Sequence, residues 1–321
     1  MKEIELVSNG LLYRIPNSWE RLAPMQYLRL AKNLLKMQQG EMSAGEVRIR
    51  LLCDLMHWDL RKFCKEDALE NLIAISEQLT FLFTIAYPDN NAVLDGLDRE
   101  QREQCLRTDP FNLRLPIAEK LRKMEYRYVL DLCFCAQLIP SVSIADNTYM
   151  GYRVNTDFGQ LTLSLTALQY LEARELIAQN EKTLPLMAAI LYYPGQYSSE
   201  GAHTMAKEFA KLPAHTLHAI SWNFQALNNF LFTRTSFSLL TKFKERTPSP
   251  ITTDASDALY DLSADGLGNN SEVEQMNVLT YLRILRKKTI DSVRQMRGME
   301  MDVAKISIET GLPIEVINDI I

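Results

Sequence analysis

The sequence has little of what enzymes and secreted proteins are commonly built on. It holds four histidines in 321 residues, and only 12 glycines and 12 prolines. It contains no Gly-x-Ser-x-Gly elbow, no phosphate-binding P-loop and no Gly-x-Gly-x-x-Gly following a strand. Those sites need glycine bends that bring a nucleophile or a row of amides onto the substrate. Gly266-Leu-Gly268 has the glycines without the strand. An α/β nucleotide-binding domain is therefore not expected. Five cysteines, Cys53, Cys64, Cys105, Cys133 and Cys135, form no paired framework, and an odd count reads as reduced, intracellular thiols. No run approaches the ~20 apolar residues of a membrane helix. The longest candidate, Leu184 to Tyr193, is too short and contains Pro185. The charged, alternating start Met1-Lys-Glu-Ile-Glu-Leu-Val lacks a signal-peptide core. Together these features predict a cytoplasmic protein.

What is present is ordinary globular composition, 47% hydrophobic and 23% charged. Such a chain can bury one to three cores. The net charge of −5 argues against a protein that binds nucleic acid over its whole surface.

One stretch occurs twice. Leu22-Ala-Pro-Met25-Gln26-Tyr27-Leu28 returns as Leu165-Thr-Ala-Leu168-Gln169-Tyr170-Leu171. Each copy opens an amphipathic run followed by a second apolar helix. Before the first copy, residues 2–7 and 11–15 flank Asn9-Gly10, a two-residue hairpin signal. Helical spacing predicts helices over 23–36, over a segment capped by Ser43 with Glu46 three residues on, over 66–83, and over 98–106. Pro116 predicts the first turn of a long helix reaching Cys135. After a punctuated junction at 140–160, where Tyr152 to Val154 reads as a strand, further helices are predicted at 165–178, 184–193, 199–211 and 214–232. Residues 246–271 have linker chemistry, with Thr247-Pro-Ser-Pro250 and Asp265-Gly-Leu-Gly-Asn-Asn270. Beyond them, Val278, Leu282, Leu285, Val293 and Met296 mark one face of a helix over 272–297 that ends at Gly298. Its other face carries Arg283, Arg286, Lys287, Lys288, Arg294 and Arg297. Two short helices follow around Thr310-Gly311-Leu312-Pro313.

Candidate chemistry is sparse. His215 and His218 share a helix face, with His203, Glu172 and Glu175 as further ligand types, yet no metal-binding motif joins them. Cys133-Phe-Cys135 is too tight for zinc or redox spacing and reads as a buried helix face. The terminal segment has a helix-turn-helix look, but its second helix offers Glu315 and Asp319 and no cation to meet DNA. No catalytic, cofactor or metal residue is assigned. The aromatic residues read as core, with interface anchors among them.

Residues 15–28, with their proline–tryptophan turn before Leu22-Ala-Pro-Met25-Gln26-Tyr27, resemble the opening of small helical phage tail assembly chaperones and related prophage proteins. Phe158-Gly-Gln-Leu161-Thr162 with Leu165 to Tyr170, and then Leu184 to Pro194, resemble a second version with its companion helix. The resemblance covers roughly residues 11–85 and 156–235. The chain departs from it in its length, its two copies and its C-terminal helix. The resemblance implies a non-enzymatic protein of tail morphogenesis whose partner is a tape measure or tail tube protein. Duplicated helical modules could read such a partner by helix-in-groove contacts.

The expected architecture is mainly α. It comprises an N-terminal module with a β-hairpin (1–140), a related second module (141–245), a flexible linker (246–271) and a tethered C-terminal arm (272–321). The expected partner-binding residues are Trp19, Met25, Tyr27, Leu168, Tyr170, Leu282, Leu285 and Val293. Alternative roles are a structural virion or adaptor component, or a DNA-associated regulator using the basic C-terminal helix. Limited proteolysis is expected to cut within 246–271 and release the arm.

Overall fold

A computed structural model describes residues 3–8, 10–63, 66–87, 93–177, 179–242 and 269–321. The protein is mainly α-helical, and every described sheet is a two-stranded antiparallel ribbon. Two bodies result, Met1–Leu132 and Cys133–Ile321. The boundary expected near 140 thus falls earlier, and the C-terminal helices belong to the second body. The expected linker lies almost wholly outside the described residues.

The first body opens with the expected hairpin, β1 (Glu3–Ser8) and β2 (Leu11–Pro16), paired from Glu3↔Pro16 to Ser8↔Leu11. Gly10 adopts φ +75 in the turn, a conformation open to glycine without steric cost. Helices α1 (Pro24–Gln38) and α2 (Ala44–Met56) follow. Ser43 caps α2 as its sequence predicts: its hydroxyl accepts from the Glu46 N–H at 3.2 Å, and the Glu46 carboxylate accepts from the Ser43 N–H at 2.8 Å. Those bonds also hold the Glu46 pKa below its ordinary value. Tyr27, Leu30, Ala31 and Leu34 of α1 are buried, as are Val47, Leu51 and Leu52 of α2.

Two expected helices are shorter than their patterns suggest. The run over 66–83 is helical only as α3 (Glu66–Ser76), and Phe83–Ala86 is strand β3. Likewise the helix from Pro116 to Cys135 reduces to α5 (Ala118–Arg122), after α4 (Arg99–Arg107), and then gives way to strand β4 (Arg127–Leu130). β3 and β4 pair antiparallel from Phe83↔Leu130 to Ala86↔Arg127. The physical reason lies in period two. In β4 the more buried Tyr128 and Leu130 alternate with exposed Arg127 and Val129, and aromatic and β-branched side chains suit a pleated surface. A short, mostly apolar stretch such as 81–86 does not distinguish strand from helix by periodicity.

The second body has two small hairpins: β5 (Ser141–Ile144) with β6 (Asn147–Met150), and β7 (Val154–Asn155) with β8 (Thr162–Leu163). Its helices are α6 (Ala167–Leu176), α7 (Leu184–Leu191), α8 (Ser199–Phe209), α9 (Ala214–Arg234), α10 (Asn270–Glu274), α11 (Val278–Gly298), α12 (Val303–Thr310) and α13 (Ile314–Ile320). No residue of α9 from 215 to 232 is exposed. Asn223, 1% exposed, is a polar group deep in this helix. Its Oδ1 accepts from the Leu138 N–H at 2.7 Å, and its Nδ2 donates to the Ala136 carbonyl at 2.8 Å.

The C-terminal segment is not a free arm. The Ala167 N–H donates to the Met276 carbonyl at 2.7 Å, and the Val278 N–H donates to the Leu165 carbonyl at 3.1 Å. Asn277 Nδ2 donates to the Leu163 carbonyl at 2.6 Å, while Asn277 Oδ1 caps α11 by accepting from the Leu279 N–H at 3.0 Å. The end of α11 then packs with α12 and α13 around Val293, Ile306, Leu312 and Ile317. Gly311, at φ +75, ends α12 in the left-handed conformation that a helix stop favours.

Two predictions follow from these contacts. Asn223→Ala strands a buried N–H and a buried carbonyl, each worth about 1–3 kcal/mol; it should lower stability by about 3 kcal/mol, read as a reduced urea midpoint. A chain cut between 243 and 268 should retain residues 269–321 through size-exclusion chromatography without denaturant, in contrast to the release expected from sequence.

Candidate functional site

The duplicated stretch is a helix start in both bodies. Ala23 and Thr166 are the residues just before α1 and α6. Gln26 Oε1 accepts from the Ala23 N–H at 2.9 Å, and Gln169 Oε1 accepts from the Thr166 N–H at 3.2 Å. Thr166 returns the contact, its hydroxyl accepting from the Gln169 N–H at 3.2 Å; Ala23 has no side chain that can. The leucine before each cap and the tyrosine at the fourth helical position are buried: Leu22 and Tyr27 in one copy, Leu165 and Tyr170 in the other. This is the arrangement of a hydrophobic staple. The repeat is thus explained by how a helix begins against a core.

The eight expected partner-binding residues separate accordingly. Trp19, Tyr27, Tyr170, Leu282 and Val293 are buried core residues. The Trp19 indole N–H donates to the Asp131 carbonyl at 2.8 Å, and its ring meets Phe81 edge-on at 5.2 Å. The Tyr170 hydroxyl donates to Asn228 Oδ1 at 2.6 Å. Leu168 and Leu285 are half-buried. Met25 alone of the eight is open, at 60% exposure.

The histidines do not converge on a ligand site. His218 Nε2 lies 3.5 Å from Glu181, and its ring lies on Trp222 at 5.5 Å. Burial lowers the His218 pKa, and the neighbouring Glu181 partly offsets this. Glu172 accepts the Tyr197 hydroxyl, and His203 is exposed. Among the described residues no three His, Cys, Asp or Glu side chains are placed to hold a metal ion. Cys133 and Cys135 are not on a helix: the chain runs irregularly through 131–137 and leaves both half-buried. The reason is the early end of α5, after which no helical ladder reaches them.

The basic face of α11 is partly committed to the protein itself. Arg286 Nε donates to the Ser236 carbonyl at 3.1 Å, Arg294 Nε to Ile320 at 3.4 Å, and Arg297 Nη1 to Met301 at 3.3 Å. Those guanidinium groups tie α11 to the 3₁₀ turn Ser236–Thr241 and to the chain's last helices.

A surface that sequence reasoning did not single out lies at the tip of the N-terminal hairpin. Val7 and Leu12 are cross-strand partners, and they are 69% and 53% exposed. Leu11 is 61% exposed. The same outward face continues into the Glu5–Arg14 ion pair at 3.5 Å, whereas Ile4 and Ile15 point into the core. The signal was in the alternation: an outward position in a hairpin is expected to be polar, and Val7 and Leu12 are not.

No protein-family profile, curated protein or solved structure matches the chain. No described helix is long and apolar enough to cross a membrane.

The two copies of the repeat should respond unequally to the same change. Gln169 is 8% exposed and also donates through Nε2 to the Ile190 carbonyl at 3.2 Å, while the Gln26 contact is exposed. Gln169→Ala is expected to cost about 2 kcal/mol and Gln26→Ala about 0.5 kcal/mol in denaturant titrations. Equal costs would show that the buried Ile190 bond adds nothing.

Proposed function

We infer that this protein is a non-enzymatic, cytoplasmic assembly factor that works by binding another protein, in the manner of phage and prophage tail assembly proteins. Its partner is a helical structural protein such as a tape measure or tail tube protein. The observation that carries the reading is the paired Val7–Leu12 surface with Leu11 beside it. Three large apolar side chains stand in water at one hairpin tip, where a soluble ribbon ordinarily carries polar groups. An apolar helix stripe at i, i+3, i+4 and i+7 is a fitting counterpart for such a ridge. Resemblance of the segments at 15–28 and 158–194 to tail chaperones supplies the class of partner.

The test is co-expression of the full chain with a tape measure and a tube protein, followed by capture. Retention of either partner is expected, with loss of at least tenfold in the Val7→Asp/Leu12→Asp double variant and no change in its urea midpoint. Failure to retain either protein, or undiminished retention by the double variant, would count against the reading.

A further inference from the structure

The wet face of α1 carries Arg29, Lys32 and Lys36, and α1 contains no acidic residue. Arg29 pairs with Asp54 near the far end of α2, so the two helices run antiparallel. Lys36 and Arg50 accordingly line the other part of the shared surface. A cleft of about 620 Å³ lies between the helices, lined by these cations together with Asp54 and Trp58. Its size falls in the range of small-molecule sites, roughly 300–1,000 Å³.

Three features of the cleft ask for complementary chemistry. The first is charge. Among the described residues no carboxylate comes within ion-pair distance of Lys32, Lys36 or Arg50, though Glu46, one turn back on α2, interacts with Arg50 electrostatically. Lys32 and Lys36 stand one turn apart, an arrangement of like charges that costs a few tenths of a kcal/mol. The protein as a whole is acidic, at −5, so this concentration of cations is local. An anion converts the mutual repulsion into attraction. The second feature is an acceptor. Asp54 Oδ1 is engaged by Arg29, while Oδ2 is buried without a hydrogen-bond partner in the protein. Oδ2 is shut away from the cleft, but the Asp54 side chain keeps 18% of its surface exposed there, and Oδ1 has a second lone pair for a hydroxyl or amine donor beside Arg29. The third is a ring. Trp58 is half-buried at the cleft, with Phe63 at 5.6 Å supporting it.

We propose that the cleft between α1 and α2 binds a nucleotide, its phosphates against Lys32, Lys36 and Arg50, a ribose hydroxyl against Asp54 and its base against Trp58. Inorganic phosphate would use only the cations. An acidic peptide could meet the cations and donate a backbone N–H to Asp54, but its carboxylates come with no base to stack on the indole. Here the phosphates are met by side chains on two helix faces, so no glycine-rich loop is needed.

The experiment is calorimetric titration of the full chain with ADP and, separately, with inorganic phosphate. ADP is expected to bind with a Kd below about 1 mM and at least tenfold more tightly than phosphate. Loss of one charge-assisted contact weakens binding by roughly tenfold, so Lys36→Ala and Arg50→Ala should each do so, and Lys36→Arg should restore most of the affinity. Trp58→Leu should weaken ADP and leave phosphate unchanged. Arg283→Ala, on α11, should alter neither. The proposal is overturned if ADP gives no binding up to about 1 mM, if phosphate binds as well as ADP, or if the Lys36 and Arg50 variants bind ADP undiminished.

Discussion

Helix α9 is enclosed along its whole middle, and everything around it is shaped by that enclosure. From 215 to 232 no residue is more than partly exposed, and most are buried. A helix so placed satisfies its own backbone, but the irregular chain crossing it does not. Residues 136–138 pass it without a ladder of their own, and their N–H and carbonyl groups need partners inside the protein. Asn223 supplies both a donor and an acceptor from one side chain. The Tyr192 hydroxyl does similar work beside it, donating to the Ile139 carbonyl at 2.6 Å. The irregular stretch 136–139 that leads into β5 thus hangs from Asn223 and Tyr192. Aromatic rings fill the space between, with Phe224 meeting Tyr170 at 5.8 Å and Tyr152 at 6.4 Å.

The first body resolves a comparable problem with a charge. Arg48, on α2, is 4% exposed. Its guanidinium lies 4.8 Å from the centre of the Tyr128 ring and 5.3 Å from that of Phe83, one ring from each strand of the β3–β4 ribbon. Cation–π contact is worth about 2 kcal/mol when the cation is desolvated. The Tyr128 hydroxyl donates onward to Asp109, which Tyr126 also reaches at 3.3 Å. Burial and this acidic neighbour push the Tyr128 phenol well above its ordinary pKa, so it stays a neutral donor. The Arg107–Asp131 pair, at 2.5 Å, closes the same end of the ribbon.

Local rules were legible in the sequence wherever the determining contacts are local. The Ser43–Glu46 box, the turn at Gly10, the Asp98 start of α4 and the Gly311 stop all depend on residues a few positions apart, and all were readable. The failures occur where a distant strand decides. Phe83–Ala86 and Arg127–Leu130 exist as strands because they pair with each other, and neither can announce that alone. The site residues show the same division. Trp19, Tyr27 and Tyr170 drew attention as conspicuous aromatics, but burial is set by what packs over them, and spacing along one helix does not reveal it. The cations of α1 form a wet face in the sequence pattern and in the structure alike. What spacing along one helix does not show is that Arg50 and Asp54 of α2, and Trp58 just beyond it, line the cleft beside them. The repeated Gln-Tyr stretch is a third case: its two copies agree because two helices begin by the same device, and that agreement speaks about folding before it speaks about binding.

The bond from Asn277 back to Leu163 spans 114 positions of sequence. A polypeptide leaves the ribosome in order. The first body has all its residues once position 132 has emerged, and it can close while the remainder is still being made. The second cannot. Its helix α6 begins with an amide that waits for Met276, and its last small core waits for Ile317. Through that interval, at roughly 5–20 residues per second, Leu163, Leu165 and Ala167 lack their protein hydrogen-bond partners on a nascent chain that already holds the residues of α7 to α9. The late-arriving strap is therefore a clasp in time as well as in space: it makes the emergence of residues 276 to 317 the event that finishes the second body.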